Sequence, residues 1–324
     1  MRKTLTVLMS IIVLVAVGAV LAVQAGSGSV SGACAGPLPK GGFTSYRVTA
    51  ADGNCLQGYA WAPASGASEV RAVVVTVHGL HDHARRYEGL ARTLGGSGIA
   101  LLAQDHRGHA GSGGAAQRLD SLEQLLGDVD LAVQEARRRH PGVPVFIHGH
   151  SLGGMVVAHY AAQRGDGLAG AVISSAALKL PAAVSGGQVR VVSLLSSLAP
   201  NLGLEAVDVA QVVRDPAARA ALAADLLVSR EKLPARTVGT LFGGVGELQP
   251  RLATIKMPLL VLHGRADTIT DPAGSRLLHQ VSASSDKALK LYNSALHDLL
   301  HEPEGPEVAR AITEFVEQRV APRS

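Results

Sequence analysis

The chain has 324 residues, 47% hydrophobic and 17% charged, enough apolar material for at least one sizeable core. Its formal charge of +4 comes without long Lys/Arg blocks and aromatics make up only 3%, which excludes a nucleic-acid platform of basic residues interleaved with stacking rings. Two cysteines, Cys34 and Cys55, are too few for a Cys-rich zinc site.

The first residues stand apart. Arg2 and Lys3 precede an uncharged apolar run from Leu5 to Val23, which ends in Val23-Gln24-Ala25. A basic start, an apolar stretch and small residues at the end predict a secretory signal over 1–25 with cleavage after Ala25. The run is also long enough for an uncleaved membrane anchor, since roughly 20 helical residues cross a bilayer. A third reading makes Cys34 the acylated residue of a lipoprotein. All three place the body of the protein outside the cytoplasm, secreted or held at the cell envelope, and in the first two Cys34 and Cys55 are free to pair. Residues 26–45 are rich in Gly, Ser, Ala and Pro and read as a linker.

From Tyr46 onward the pattern becomes regular. SYRVTA and LQGYAWAP flank Asp52-Gly53, a hairpin signal. VRAVVVTVHG is a continuous β-branched run, as in a strand buried on both faces. Helix YEGLARTLGGSG, strand IALLAQD and the long helix SLEQLLGDVDLAVQEARRRHPG follow, the last with basic residues in its final turns. VPVFIHGH is a strand and LGGMVVAHYAAQRG a helix. LAGAVISSA, MPLLVLHG and ALKLYN complete the strands, and PAGSRLLHQVSA and GPEVARAITEFVEQRV the helices. Alternation of this kind predicts an α/β architecture, a mostly parallel sheet with helices on both faces. It breaks between 181 and 250, where AVDVAQVVRDPAARAALAADLLV is helical and amphipathic with no clear strand. That segment reads as a helical cap inserted into a domain spanning 46–320.

The chemistry centres on Gly149-His150-Ser151-Leu152-Gly153, set between a strand and a helix. Such a turn lifts a serine hydroxyl above the sheet, and glycines two positions either side avoid clashes. The Leu152 N–H, at the helix start, points into the same space. VHGL, at the end of its strand, opens a loop that offers the Leu80 N–H as a second oxyanion donor, with His78 read as a brace for that loop. Asp267 follows the strand MPLLVLHG, where an orienting acid belongs, whereas Asp271 stands before Pro272 and suits a helix cap. His297 lies in the loop after ALKLYN, where a base belongs. His301 is its competitor, and Asp298 is read as a solvated or capping neighbour. The order Ser151, Asp267, His297 is the one this type of sheet uses.

With these motifs in place the chain resembles the monoacylglycerol lipase branch of the α/β-hydrolases, also described as serine aminopeptidase S33 or lysophospholipase-like. The resemblance runs through VHGLHDHARRYEGLA, DHRGHAGSGG, GHSLGGMV, LAPNLGLEAVDVAQVVRDP, LPARTVG, PLLVLHGRADTITDPAGS and YNSALHDLLHEPE, over about 46–320. It implies hydrolysis of a monoacylglycerol to fatty acid and glycerol, with no metal or organic cofactor. It also implies a cap over an apolar acyl tunnel, with contact to a membrane or lipid interface. In VSLLSSLAP the leucines serve either that tunnel or the core. Asp82 and Arg86 fall where the family holds the glycerol end, though its usual Gly-Glu-His is here His81-Asp82-His83, and Ala110 replaces a common glycine. A lysophospholipase, a broad carboxylesterase, a proline-type serine peptidase and an inactive membrane-associated binding protein remain as alternatives.

Overall fold

The computed structural model describes Cys34 and residues 36–63, 70–180, 184–204 and 211–320. The expected signal, anchor and most of the linker lie outside them. Strand β1 (Thr44–Thr49) pairs antiparallel with β2 (Cys55–Trp61) across the Asp52-Gly53 turn. Thr44 and Ser45 already pair with Ala60 and Tyr59, so the sheet begins before residue 46. Cys34 is bonded to Cys55. Its sulfur is therefore not available to an acyl chain, which corrects the lipoprotein reading.

The remaining large strands are β3 (Ala72–Val77), β4 (Ile99–Gln104), β5 (Val145–His150), β6 (Gly170–Ser174), β9 (Leu259–Gly264) and β10 (Lys287–Tyr292). They form an eight-stranded sheet in the order β1-β2-β4-β3-β5-β6-β9-β10. Every pairing from β4 to β10 is parallel. Helices α1 (Glu88–Gly96), α2 (Leu122–Arg139), α3 (Leu152–Gln163), α7 (Pro272–Val281) and α8 (Gly305–Glu317) connect or flank them.

The alternation of side chains along each strand divides the core in two. Val73, Val75 and Val77 of β3 pack with Val129 and Val133 of α2 and Val156 of α3. Ala72 and Val74 face the other way, toward Leu90 and Leu94 of α1 and Ile312 and Phe315 of α8. Both faces of the sheet are covered, which is why the strands read as unbroken apolar runs.

Between β6 and β9 lie α4 (Gly186–Leu198), α5 (Pro216–Ala224) and α6 (Ala235–Leu248). Two residues of β7 (Gly203–Leu204) pair with β8 (Leu233–Pro234), a small ladder the sequence did not announce. The helix expected across 206–228 is shorter. Among the described residues it runs only from Pro216 to Ala224, capped at its start by Asp215. Among the described residues no helix is long and apolar enough to cross a membrane.

Candidate active site

β5 ends at His150 and α3 begins at Leu152, so the whole turn is Ser151. Its φ of 57° and ψ of −118° lie outside the comfortable regions for a residue with a side chain, a strain worth about 1–3 kcal/mol. The surroundings impose it. Ser151 N–H donates to the Ser174 carbonyl at 3.0 Å, and its own carbonyl accepts from Met155 at 3.1 Å. The flanking glycines are steric requirements. A Cβ on Gly149 would fall 2.3 Å from the Gly153 oxygen, and one on Gly153 would fall 2.1 Å from the Val77 oxygen.

Leu152 is the first residue of α3, so its N–H has no acceptor inside the helix and stands at the positive end of the dipole. The loop after β3 passes close beside it: a Cβ on Gly79 would lie 3.2 Å from that of Ser151. Leu80 follows directly. His78 Nε2 accepts from the His106 N–H at 2.9 Å, which leaves its proton on Nδ1, 2.7 Å from the Gly79 oxygen. The ring is fully buried and is held by burial and by His109 down to about 3, so it stays neutral and braces the loop. His81 takes a φ of 61°, the left-handed conformation that suits the family's glycine, and Ala110 does likewise at 41°.

Asp267 follows β9. Its Oδ1 accepts from the Ile269 and Thr270 amides at 2.8 and 3.0 Å, and its Oδ2 lies 2.8 Å from His297 Nδ1. Burial alone would push this carboxyl up, but His297 and His263 outweigh it and hold it far below the ordinary carboxylate range. Burial would likewise pull His297 down, and the Asp267 carboxylate reverses that, leaving the imidazole above its ordinary value. The His297 ring lies 4.8 Å, centroid to centroid, from the ring of His150, the residue before Ser151. Asp267 and His297 are thus in direct contact, and through His150 the base lies beside the turn that carries Ser151, at the C-terminal ends of β5, β9 and β10. The rivals are engaged elsewhere. Asp271 caps α7 through the Ala273 N–H at 2.8 Å, and His301 pairs with Asp298 at 2.9 Å.

Asp298 is not a solvated neighbour. It is buried, and Arg86 Nη2 reaches its Oδ2 at 2.7 Å while Arg86 Nη1 reaches Asp82 Oδ1 at 3.0 Å. Burial opposes its charge, but His301 and Arg86 keep it ionised well below the usual range. Asp82 also accepts from the His83 N–H at 2.8 Å. Asp82 and Arg86 are therefore engaged with each other and with Asp298, tying the Leu80 loop to the His297 loop.

The cap grips both loops. The Val212 carbonyl accepts from the His297 and Asp298 amides at 3.1 and 2.9 Å. Glu302, fully buried in its side chain, accepts from the Arg214 and Leu296 amides at 2.9 and 3.2 Å and from Arg214 Nε at 2.8 Å. On the other loop His83 Nε2 meets Asp225 at 2.9 Å, and Ser229 donates to the His81 carbonyl at 2.9 Å. The sequence reading took Asp298 for a solvated or capping neighbour, and it missed Glu302 and His263, whose Nε2 lies 3.1 Å from Asp267 Oδ2. The one local signal for His263 is its place four residues before the acid.

The sequence profile of the serine aminopeptidase S33 family matches residues 68–304. The chain belongs to this family of α/β-hydrolases. It is 37% identical to the monoacylglycerol lipase of Mycolicibacterium smegmatis over 256 residues, 79% of this chain and 90% of that one. It is 32% identical to the human monoglyceride lipase over 275 residues, 85% of this chain and 89% of that one. The crystal structure of a Paleococcus ferrophilus monoacylglycerol lipase superposes with a TM-score of 0.73 at 30% identity, covering 85% of this chain and 99% of that one. The Paleococcus ferrophilus structure shares this fold.

Proposed function

We propose that the protein is a serine carboxylester hydrolase of monoacylglycerols, releasing fatty acid and glycerol through an acyl-enzyme on Ser151. The observation that carries this reading is the buried Asp267–His297 pair, 2.8 Å apart, with the His297 ring 4.8 Å from that of His150, the residue before the strained Ser151. The named relatives supply the substrate class.

The roles follow from the geometry. Asp267 occupies His297 Nδ1, so Nε2 is left as the basic nitrogen. It takes the Ser151 proton as Oγ attacks the ester carbon, and the carbonyl oxygen gains negative charge facing the Leu80 and Leu152 amides. The protonated imidazole then gives its proton to the departing glycerol oxygen. A water molecule repeats the sequence in reverse roles and frees the fatty acid. The Arg86 cluster holds the oxyanion and base loops in register during both steps.

The outer face of α4 exposes Val191, Leu194 at 58% and Leu198 at 70%, with Leu226 beyond α5 at 96%. An apolar stripe of this kind on the cap suits contact with a lipid interface. The remaining positions of α4 include buried Val192 and Ser196, so its apolar residues serve core and surface together. The Cys34–Cys55 bond fits an oxidising compartment and supports export, with the apolar N-terminal run as signal or anchor.

The test sets the full chain against monoacylglycerols, a diacylglycerol, a lysophospholipid and p-nitrophenyl esters, beside Ser151→Ala. Monoacylglycerols should be the preferred substrates, and the variant should lose on the order of 10⁴-fold or more in kcat. Preference for the lysophospholipid, or for short p-nitrophenyl esters alone, would replace the lipid assignment. A fully active variant would overturn the mechanism.

A further inference from the structure

Asp267 Oδ2 serves a second histidine besides His297. His263, the fifth residue of β9, is completely buried and lies with Nε2 3.1 Å from Asp267 Oδ2 and Nδ1 2.7 Å from Ser275 Oγ, on α7. An ionised carboxylate can only accept, so Nε2 must carry a proton. In the neutral ring Nδ1 then accepts from the Ser275 hydroxyl. The contacts define one tautomer and one direction, from Ser275 through His263 to the acid. Thr270 Oγ1, 2.8 Å from Oδ2 and 2.9 Å from the Ser175 carbonyl, closes the remaining side.

We infer that His263, fixed by Ser275, is a positioning residue for the reaction: it holds Asp267 in line with His297 and shares the carboxylate charge that would otherwise fall on the base alone. The inference rests on the proposed roles of Ser151, Asp267 and His297. His263 touches neither substrate nor the reacting atoms. Its influence passes through a carboxylate oxygen that His297 also uses. Removing one donor leaves that oxygen richer in charge for the other, so the base becomes more basic. The other charged or titratable groups around His297 are His150 on β5, Asp298 in its own loop, and Asp82 and Arg86 in the Leu80 loop. None of them lies on α7, so a change at His263 or Ser275 leaves those groups in place.

The experiment compares His263→Leu, His263→Gln and Ser275→Ala with the parent by the pH dependence of kcat/KM on a soluble ester. Thermal melting and titration with a fluorophosphonate count folded, reactive sites. His263→Leu should move the acidic limb upward by about half a unit to one unit. It should lower kcat by roughly ten- to a hundredfold, with KM within about twofold. His263→Gln keeps an N–H donor and should recover most of kcat and return the limb toward the parent position. Ser275→Ala should move the limb the same way by a smaller amount, and it alone decides if His263→Leu does not fold. Folded variants whose limb coincides with the parent's would overturn the inference, since a residue that merely packs would lower stability without moving the profile. Failure of the parent itself to hydrolyse esters or to react with fluorophosphonate at Ser151 would instead sink the reading on which this one rests.

Discussion

His297 is subject to opposing pulls, and their balance sets the working pH. Burial favours the neutral ring, while Asp267, Asp298 and Asp82 favour the charged one and prevail. His150, itself lowered to about 4 by burial and by His297, stays neutral beside it. The base must be neutral to accept the Ser151 proton, so activity is full above its pKa and falls as pH drops through it. Because that pKa is raised, the acidic limb of kcat/KM should lie above the ordinary histidine value of about 6.5. Asp298→Asn removes one negative neighbour and leaves Arg86 less well neutralised. Both changes disfavour the imidazolium, so the limb should move to lower pH. A profile on a soluble ester at constant ionic strength measures this, and an upward shift would show that the charges around the base have been misassigned.

At the scale of elements, the cap forms part of the scaffold that places the base. The stretch from Gln211 to Arg214 meets the His297 loop through backbone and side chain at once: the Val212 carbonyl fixes two consecutive amides, and Arg214 engages Glu302, which in turn holds the Leu296 amide. Arg214→Ala leaves the triad chemically intact but removes the side-chain part of this attachment. It should lower the melting temperature and reduce kcat by about tenfold, with a smaller effect on KM, because a small displacement of the base is felt mainly in the transition state. Steady-state kinetics on a soluble ester checks it, and an unchanged kcat would mean that the Val212 carbonyl suffices. Little of this attachment was legible in the sequence. The buried strands, the flanking helices, and the Ser151 turn with its acid and base announced themselves through local pattern: apolar runs, helical spacing and glycines at fixed offsets. Asp298 gave no such signal, because its partner Arg86 stands 212 residues away. The β7–β8 ladder was hidden for the same reason: it is two residues long, and Gly203 pairs with the distant Pro234. Within the cap, Asp215-Pro216 marked the true start of α5, yet the amphipathic pattern on either side suggested a longer helix.

Over the whole molecule, the Cys34–Cys55 bond fastens the first described residue to β2, the strand next to the edge of the sheet. Cys55 opens β2, and its carbonyl accepts from the Gly113 N–H at 2.8 Å. Gly113 belongs to the loop after β4, which also carries His106 and His109, and His106 in turn braces His78 behind the Leu80 loop. The bond is therefore linked to the site through a chain of backbone and histidine side-chain hydrogen bonds, although it lies outside it. Its cysteines are 21 residues apart in sequence. Closing a loop of that length restricts the unfolded chain and stabilises the fold by about 3 kcal/mol. For a chain of this size that corresponds to roughly 5–10 °C in melting temperature. Reduction, or Cys34→Ser, should each lower the melting temperature by this amount. The local contacts of Gly113 and His106 persist without the bond, so turnover at room temperature should stay within about twofold of the parent. Melting curves with and without reductant, beside ester hydrolysis at 25 °C, separate the two effects. A large loss of activity in a folded, reduced protein would mean that the disulfide acts on the site itself through the loop after β4, and not on stability alone.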